Sequence, residues 1–153
     1  MKVKQRRYWR IFGDMESVTL ILRDAGMRRT GPRQAVLEHL MESGYALSHQ
    51  ELENRLEGRV DRVTIYRILA AFEEHGIVHR VMDAAGHPQY AMCSSSCSGH
   101  HHHDEHVHFQ CTVCGNTYCL DDVAFPRISL PSGFVLSTLD VTAKGTCGRC
   151  QAA

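Results

Sequence analysis

Between Asp14 and about Gly76 the apolar residues fall on one side of a helical repeat. Met15, Val18, Ile21, Leu22 and Ala25 keep the spacing of a buried helix face, and Gly26 supplies a stop. Thr30-Gly31-Pro32 then provides a cap and a first-turn proline before Val36, Leu37, Leu40 and Met41. Ser48-His49-Gln50-Glu51 reads as a capping box that opens a short helix buried through Leu52 and Leu56. Asp61 caps a further helix whose apolar face is Ile65, Ile68, Leu69 and Phe72. The period changes at Ile77-Val78-His79-Arg80-Val81-Met82, a β-run followed by the turn Asp83-Ala84-Ala85-Gly86 and a returning strand, Gln89–Met92. Helices followed by a hairpin are the element order of a winged helix-turn-helix.

Residues 93–105, CSSSCSGHHHHDE, are small, polar and histidine-rich, which predicts a linker. Beyond it the pattern predicts strands at Val107–Cys111, Thr117–Leu120 and Phe134–Thr142, with a short helix near Val123–Ile128. A unit of about 45 residues holds little core of its own and needs a metal, a partner chain or both.

Composition sharpens this division. The 153 residues have equal numbers of basic and acidic groups, 17 of each. The halves differ: residues 1–82 carry 14 basic and 11 acidic groups, residues 83–153 only 3 and 6. A basic front and an acidic, Cys/His-loaded back suggest two tasks. No apolar run approaches the roughly 20 residues of a membrane helix, and the N-terminus MKVKQRRYWRIFGD has no apolar core of a signal peptide. The expectation is a cytoplasmic protein with no membrane partner.

All seven cysteines follow residue 92, and seven of the eleven histidines follow residue 86. An odd cysteine count without a secretory signal argues against a disulfide framework. Cys111-Thr-Val-Cys114 and Cys147-Gly-Arg-Cys150 are instead two C-x-x-C knuckles, 32 residues apart. Four thiolates on two turns make a tetrahedral sulfur site suited to one structural Zn²⁺ per chain. A second group comprises His79, Cys93, His106, His108 and Cys119, with Cys97 and His100–His103 nearby. His106 and His108 alternate on one strand face, and His79 and Cys93 meet across the hairpin. Mixed nitrogen and sulfur ligation favours Zn²⁺ over iron or manganese at a second site.

The helix that begins at Asp61 carries Arg62, Thr64, Tyr66 and Arg67 near its N-terminus, the end a recognition helix inserts into the major groove. Arg67 suits guanine edges or phosphates, and Tyr66 a thymine methyl or a phosphate. Arg28, Arg29 and Arg33 flank an earlier helix start and suit phosphates. Lys2, Lys4, Arg6, Arg7 and Arg10 form a basic arm interleaved with Tyr8 and Trp9.

Arg29-Thr30-Gly31-Pro32-Arg33, Thr64-Ile65-Tyr66-Arg67-Ile68-Leu69, Gly76-Ile77-Val78-His79-Arg80-Val81 and His106-Val107-His108-Phe109-Gln110-Cys111-Thr112-Val113-Cys114-Gly115 occur in that order. Together they resemble the Fur family of metal-responsive repressors over about residues 14–150. The resemblance implies an α+β protein: a winged-helix DNA-binding domain at 14–92, a hinge at 93–105, and an α/β dimerisation domain at 106–153 holding a Cys₄ zinc. It also implies a homodimer closed onto operator DNA by a metal at the hinge. By position, Tyr66 and Arg67 match a base- and phosphate-contacting pair, and Arg28 a residue that reaches the minor groove. Cys93, just after the wing strand, is similar to a ligand of the zinc-sensing Zur branch; His79 matches its wing ligand, and His106 and His108 its HxH pair. Ala46 and Ala91 stand where iron-type members place a histidine and a glutamate, and Cys119 where a glutamate is frequent. Val107, Pro126 and Leu139 occupy the ligand positions of the family's additional metal site.

The reading is a zinc-dependent repressor of double-stranded operator DNA, without enzymatic activity or small-molecule substrate. Its alternatives are an iron- or peroxide-responsive relative, a thiol–disulfide enzyme using one C-x-x-C, and a zinc-ribbon module that does not bind DNA.

Overall fold

The computed structural model describes residues 15–93, 107–120 and 122–153. The basic arm, Cys97, His100–His103 and His106 lie outside the described residues.

Each helix begins and ends where its local chemistry dictates. Helix α1, Met15–Asp24, gives way to Gly26 at φ +68°, and the Met27 N–H closes onto the Leu22 carbonyl at 2.7 Å. Helix α2, Gly31–Ser43, starts under the Thr30 hydroxyl and stops at left-handed Gly44. After the two-residue strand β1, Leu47–Ser48, comes helix α3, His49–Leu56. Its capping box is complete: Glu51 N–H donates to Ser48 Oγ at 3.2 Å, and Ser48 N–H to Glu51 Oε2 at 2.8 Å. Helix α4, Arg62–Glu74, is capped by Asp61, whose carboxylate accepts from Thr64 N–H at 3.0 Å.

The predicted apolar faces converge on one core. Val18, Leu22, Val36, Leu37, Leu40, Leu52, Leu56, Ile65, Leu69 and Phe72 are buried together with Val78 and Tyr90 of the hairpin. The hairpin consists of β2, Val78–Met82, and β3, Pro88–Met92, antiparallel with His79 opposite Ala91. Its turn is held by the Asp83 carboxylate, which accepts from the Ala85 and His87 amides, both at 2.8 Å. Strand β3 is central, with β1 on its other side.

The second sheet has the order β5-β4-β6, with β4 at Val107–Cys111, β5 at Thr117–Leu120 and β6 at Thr142–Gly145. A short helix α5, Gly148–Gln151, carries the last knuckle. Two expectations fail here. No helix forms near Val123–Ile128, and Phe134–Thr142 is not a strand: only Thr142–Gly145 pairs, in parallel with β4. The β-branched run has the right pattern, but among the described residues it bonds to β4 only at its end, where the Val141 carbonyl accepts from His108 N–H at 2.9 Å. Ile128, Phe134, Val135 and Leu136 are consequently exposed.

The two sheets meet along β5. Ala46 N–H donates to the Thr117 carbonyl at 2.8 Å, and half-buried Cys119 packs on Ala46, Val81 and Ala91. No helix among the described residues is long and apolar enough to cross a membrane.

Candidate metal centres and reading helix

The tight turn after β4 and the N-terminus of α5 bring the two knuckles together. The sulfurs of Cys111, Cys114, Cys147 and Cys150 all lie within 4.8 Å of one another. Cys114 and Cys147 are 3.9 Å apart, close to the edge of about 3.8 Å that Zn–S bonds of about 2.3 Å give a tetrahedron. Backbone amides already favour charge at the site: Cys147 N–H donates to Cys111 Sγ at 3.3 Å. The Cys147 thiol is pulled down to about 6, first by the Tyr118 hydroxyl, which donates to its sulfur at 3.6 Å, and next by the Cys150 amide. Cys111 is lowered chiefly by the Cys114 amide, while Cys150 is pushed up by the hydrogen bond it shares with Cys147. Cys111 and Cys147 are thus both biased toward the thiolate, and sulfur donors of this kind would fit zinc.

The second group is assembled by strand register. His108 and Cys119 are direct partners across β4 and β5, so both side chains leave the same face of the sheet. His79 reaches them from the wing: its Nε2 is 3.2 Å from Cys119 Sγ, and its ring centre is 5.7 Å from that of His108. The donor atoms of these three lie within 4.8 Å of one another. Cys93 faces the other ring nitrogen of His79, Nδ1, at 3.6 Å. His79 and His108 are buried, and Cys93 and Cys119 half-buried. Nitrogen and sulfur donors held out of bulk solvent on two different sheets can take one soft-to-borderline cation and tie those sheets together.

Helix α4 presents Arg62, Tyr66 and Arg67 to solvent, while Ile65, Ile68 and Leu69 face the core. Half-buried Thr64 gives its hydroxyl proton to the cap residue Asp61, which draws that carboxyl below its usual range. Arg62 Nε lies 3.8 Å from Glu53 Oε2. Arg28 is exposed, and half-buried Arg33 donates to the Arg28 carbonyl at 2.8 Å, so part of its guanidinium braces the loop before α2.

Sequence reasoning passes over His49 beneath Tyr66 and the aromatic pair Tyr45 and Tyr118, whose rings are 6.0 Å apart beside Arg149. The first hides inside a capping box, and the second joins the bend before β1 to strand β5, where spacing carries no sign of the contact.

The profile of the Ferric uptake regulator family matches residues 24–129. The Ferric uptake regulation protein of Legionella pneumophila is 31% identical over 138 residues, spanning 85% of this chain and 96% of that protein. A crystal structure of holo XcZur superposes with a TM-score of 0.61 at 21% identity, covering 90% of this chain and 99% of the other. A zinc uptake regulator complexed with zinc and DNA superposes at 0.60, also 21% identical, covering 99% of this chain and 97% of that one. With a sheet-bridging Cys/His cluster, a Cys₄ group and a winged helix in family order, this chain belongs to the ferric uptake regulator family of metal-responsive, DNA-binding transcriptional regulators, not to the enzymes.

Proposed function

We propose that this chain is a zinc-dependent transcriptional repressor that binds operator DNA as a homodimer, with residues 14–92 as reading head, 93–105 as hinge and 106–153 as dimerisation unit. The supporting observation is the group His79, His108 and Cys119, which joins the wing to the small sheet. Cys93 stands on the other side of the His79 ring, at Nδ1, outside this three-residue group. Nitrogen and sulfur donors suit Zn²⁺ better than Fe²⁺ or Mn²⁺, and the likeness to a zinc uptake regulator complexed with zinc and DNA supports the same reading. In this reading the Cys₄ ion is structural, and the ion bridging the two sheets is the signal.

An ion held by His79, His108 and Cys119 would tie the wing to the small sheet and so hold the angle of each reading head. Shifting a two-state equilibrium from 1:99 to 99:1 takes about 5.5 kcal/mol of differential binding, which several protein ligands on one zinc can supply. Arg28, Arg33, Arg62, Thr64, Tyr66 and Arg67 then meet the duplex, twice in the dimer.

The test is native mass spectrometry and DNA-binding titration of wild type and Cys119→Ser in Zn²⁺, Fe²⁺ and Mn²⁺. The expected wild type carries two zinc ions per chain and binds DNA only when both are present. Cys119→Ser keeps one zinc and loses metal-stimulated binding, by more than the 10–100-fold that removing an outer partner of a ligand costs. Tight binding stimulated by Fe²⁺ in preference to Zn²⁺ would replace this with the iron-responsive reading, which the names of the curated relatives favour.

A further inference from the structure

Tyr66 stands half-exposed on the reading helix, yet its ring is not loose. It lies flat on the imidazole of His49, centroids 3.7 Å apart and planes 19° from parallel. His49 is the first residue of α3 and is itself buried. Its Nε2 meets the backbone carbonyl of Arg62 at 3.1 Å; a carbonyl only accepts, so Nε2 carries the hydrogen and donates. Its other nitrogen faces Glu53 Oε2 at 4.0 Å, one turn along the same helix, and Arg62 Nε approaches that same oxygen from α4 at 3.8 Å. The imidazole is therefore aligned by one bond to the first turn of the reading helix and offers its flat face to the tyrosine.

This arrangement does more than fill space. An exposed tyrosine on a helix samples several rotamers, and docking on DNA must freeze one of them. A ring already stacked has lost that freedom before the encounter, while its outer face and hydroxyl stay open. The alternatives at position 49 each lack one half of the device: phenylalanine has the face without the bond, and glutamine a hydrogen-bonding group without the face.

We propose that His49 is a positioning residue for DNA reading: it holds the ring of Tyr66 in the pose that meets the bases, and so sets discrimination at the base step Tyr66 touches. This rests on the DNA-binding reading given above.

The experiment is a double-mutant cycle on the zinc-loaded, full-length protein. H49A, H49F and H49Q are made in wild type and in Y66A, and operator affinity and single-base-substitution profiles are measured with thermal midpoint and zinc content. H49A and H49Q are expected to weaken specific binding about three- to tenfold and relax the same base step as Y66A, with H49F, which keeps the face without the bond, losing less than either. In the Y66A background all three are expected to change affinity less than about twofold, because the residue they position is gone. Equal losses in both backgrounds, or no loss in either, overturn the proposal; so does a loss that follows only the thermal midpoint.

A DNA-free measurement separates this from the function itself. The Tyr66 ring signal, identified by its absence in Y66F, is expected at a ring-current-shifted position in wild type and H49F and at the free-tyrosine position in H49A. An unchanged signal in H49A overturns the positioning role whatever the DNA data show. A wild type that is zinc-loaded and binds no DNA would sink the regulator reading instead.

Discussion

The guanidinium of Arg149, inside the second cysteine knuckle, lies 5.0 Å from the centre of the Tyr45 ring, which belongs to the helical unit. The same group donates to the Tyr118 hydroxyl at 2.8 Å, and that hydroxyl donates to Cys147 Sγ at 3.6 Å. From the other side Arg55 donates to the Tyr45 hydroxyl at 2.7 Å. A chain of contacts thus runs from a Cys₄ sulfur to α3, parallel to the bridge that His79 makes with Cys119.

Arg149→Ala should therefore leave the Cys₄ ion in place, since Arg149 is no ligand, yet loosen the seam between the sheets. An exposed cation–π contact contributes about 0.5–1 kcal/mol, which for a chain of this size lowers the thermal midpoint by about 1–4 °C. The Ala46 amide, bonded across the seam to Thr117, should exchange its hydrogen faster. Unchanged exchange at Ala46 would mean that Arg149 is an ornament of the knuckle with no hold on the helical unit.

Cys111 is buried at the end of β4 and accepts the Cys147 amide, so the first knuckle organises the second. Cys111→Ser should abolish folding of the small sheet and not merely sensing. Structural zinc contributes about 10–16 kcal/mol of apparent binding energy, as large as the stability of a whole domain. Circular dichroism and zinc content report it: a variant with wild-type secondary structure that has lost one of the two zinc ions per chain would overturn the structural assignment. A strong chelator should do to wild type what the substitution does.

Much of this architecture is legible in the sequence wherever the cause is local. The Ser48–Glu51 capping box, the Asp61 cap, the Asp83 turn and both C-x-x-C knuckles are short-range devices, and each forms at the residues that spell it. The grouping of His79 with His108 and Cys119 is legible in part: strand alternation places His108 on one face, but only register puts Cys119 opposite it. The region from Val123 to Val141 is not legible in this way. Val123–Ile128 reads as a helix and Phe134–Thr142 as a strand, and neither forms; a strand exists only when a neighbour accepts its backbone bonds. His49 escapes for a related reason: its ring is defined by Tyr66, 17 positions on, and no periodicity links the two.

That unpartnered region gives a prediction about assembly. Val135 is 93% and Phe134 69% exposed, in a stretch whose pattern is that of a buried strand. A second copy of the chain is the neighbour it lacks, under the homodimer reading. Val135→Asp should leave the single chain folded and keep the Cys₄ zinc, while weakening the dimer. Loss of an interface anchor costs about 2 kcal/mol, or about 30-fold in dimer dissociation. Sedimentation velocity across a concentration series measures this, and a dimer constant unchanged by the aspartate would remove residues 134–136 from the interface.

Arg67 and Tyr66 are neighbours on α4, both exposed, and under the DNA-binding reading their chemistry gives them different work. A guanidinium that neutralises a phosphate releases counterions, so it raises affinity for any sequence and steepens the dependence on salt. A tyrosine ring releases none; it acts through the base it touches. Arg67→Ala should weaken binding to operator and to random duplex by similar factors and reduce the slope of log affinity against log salt by about 1. Tyr66→Ala should leave that slope intact and lower the ratio of specific to non-specific affinity, by about 1–3 kcal/mol if one base step loses its reader. Titrations of both variants at several salt concentrations, on operator and on random duplex, separate the two roles. A position-specific loss for Arg67→Ala with no change in slope would make Arg67 the base reader, with its guanidinium on a guanine edge, and would leave the phosphates to Arg28, Arg33 and Arg62.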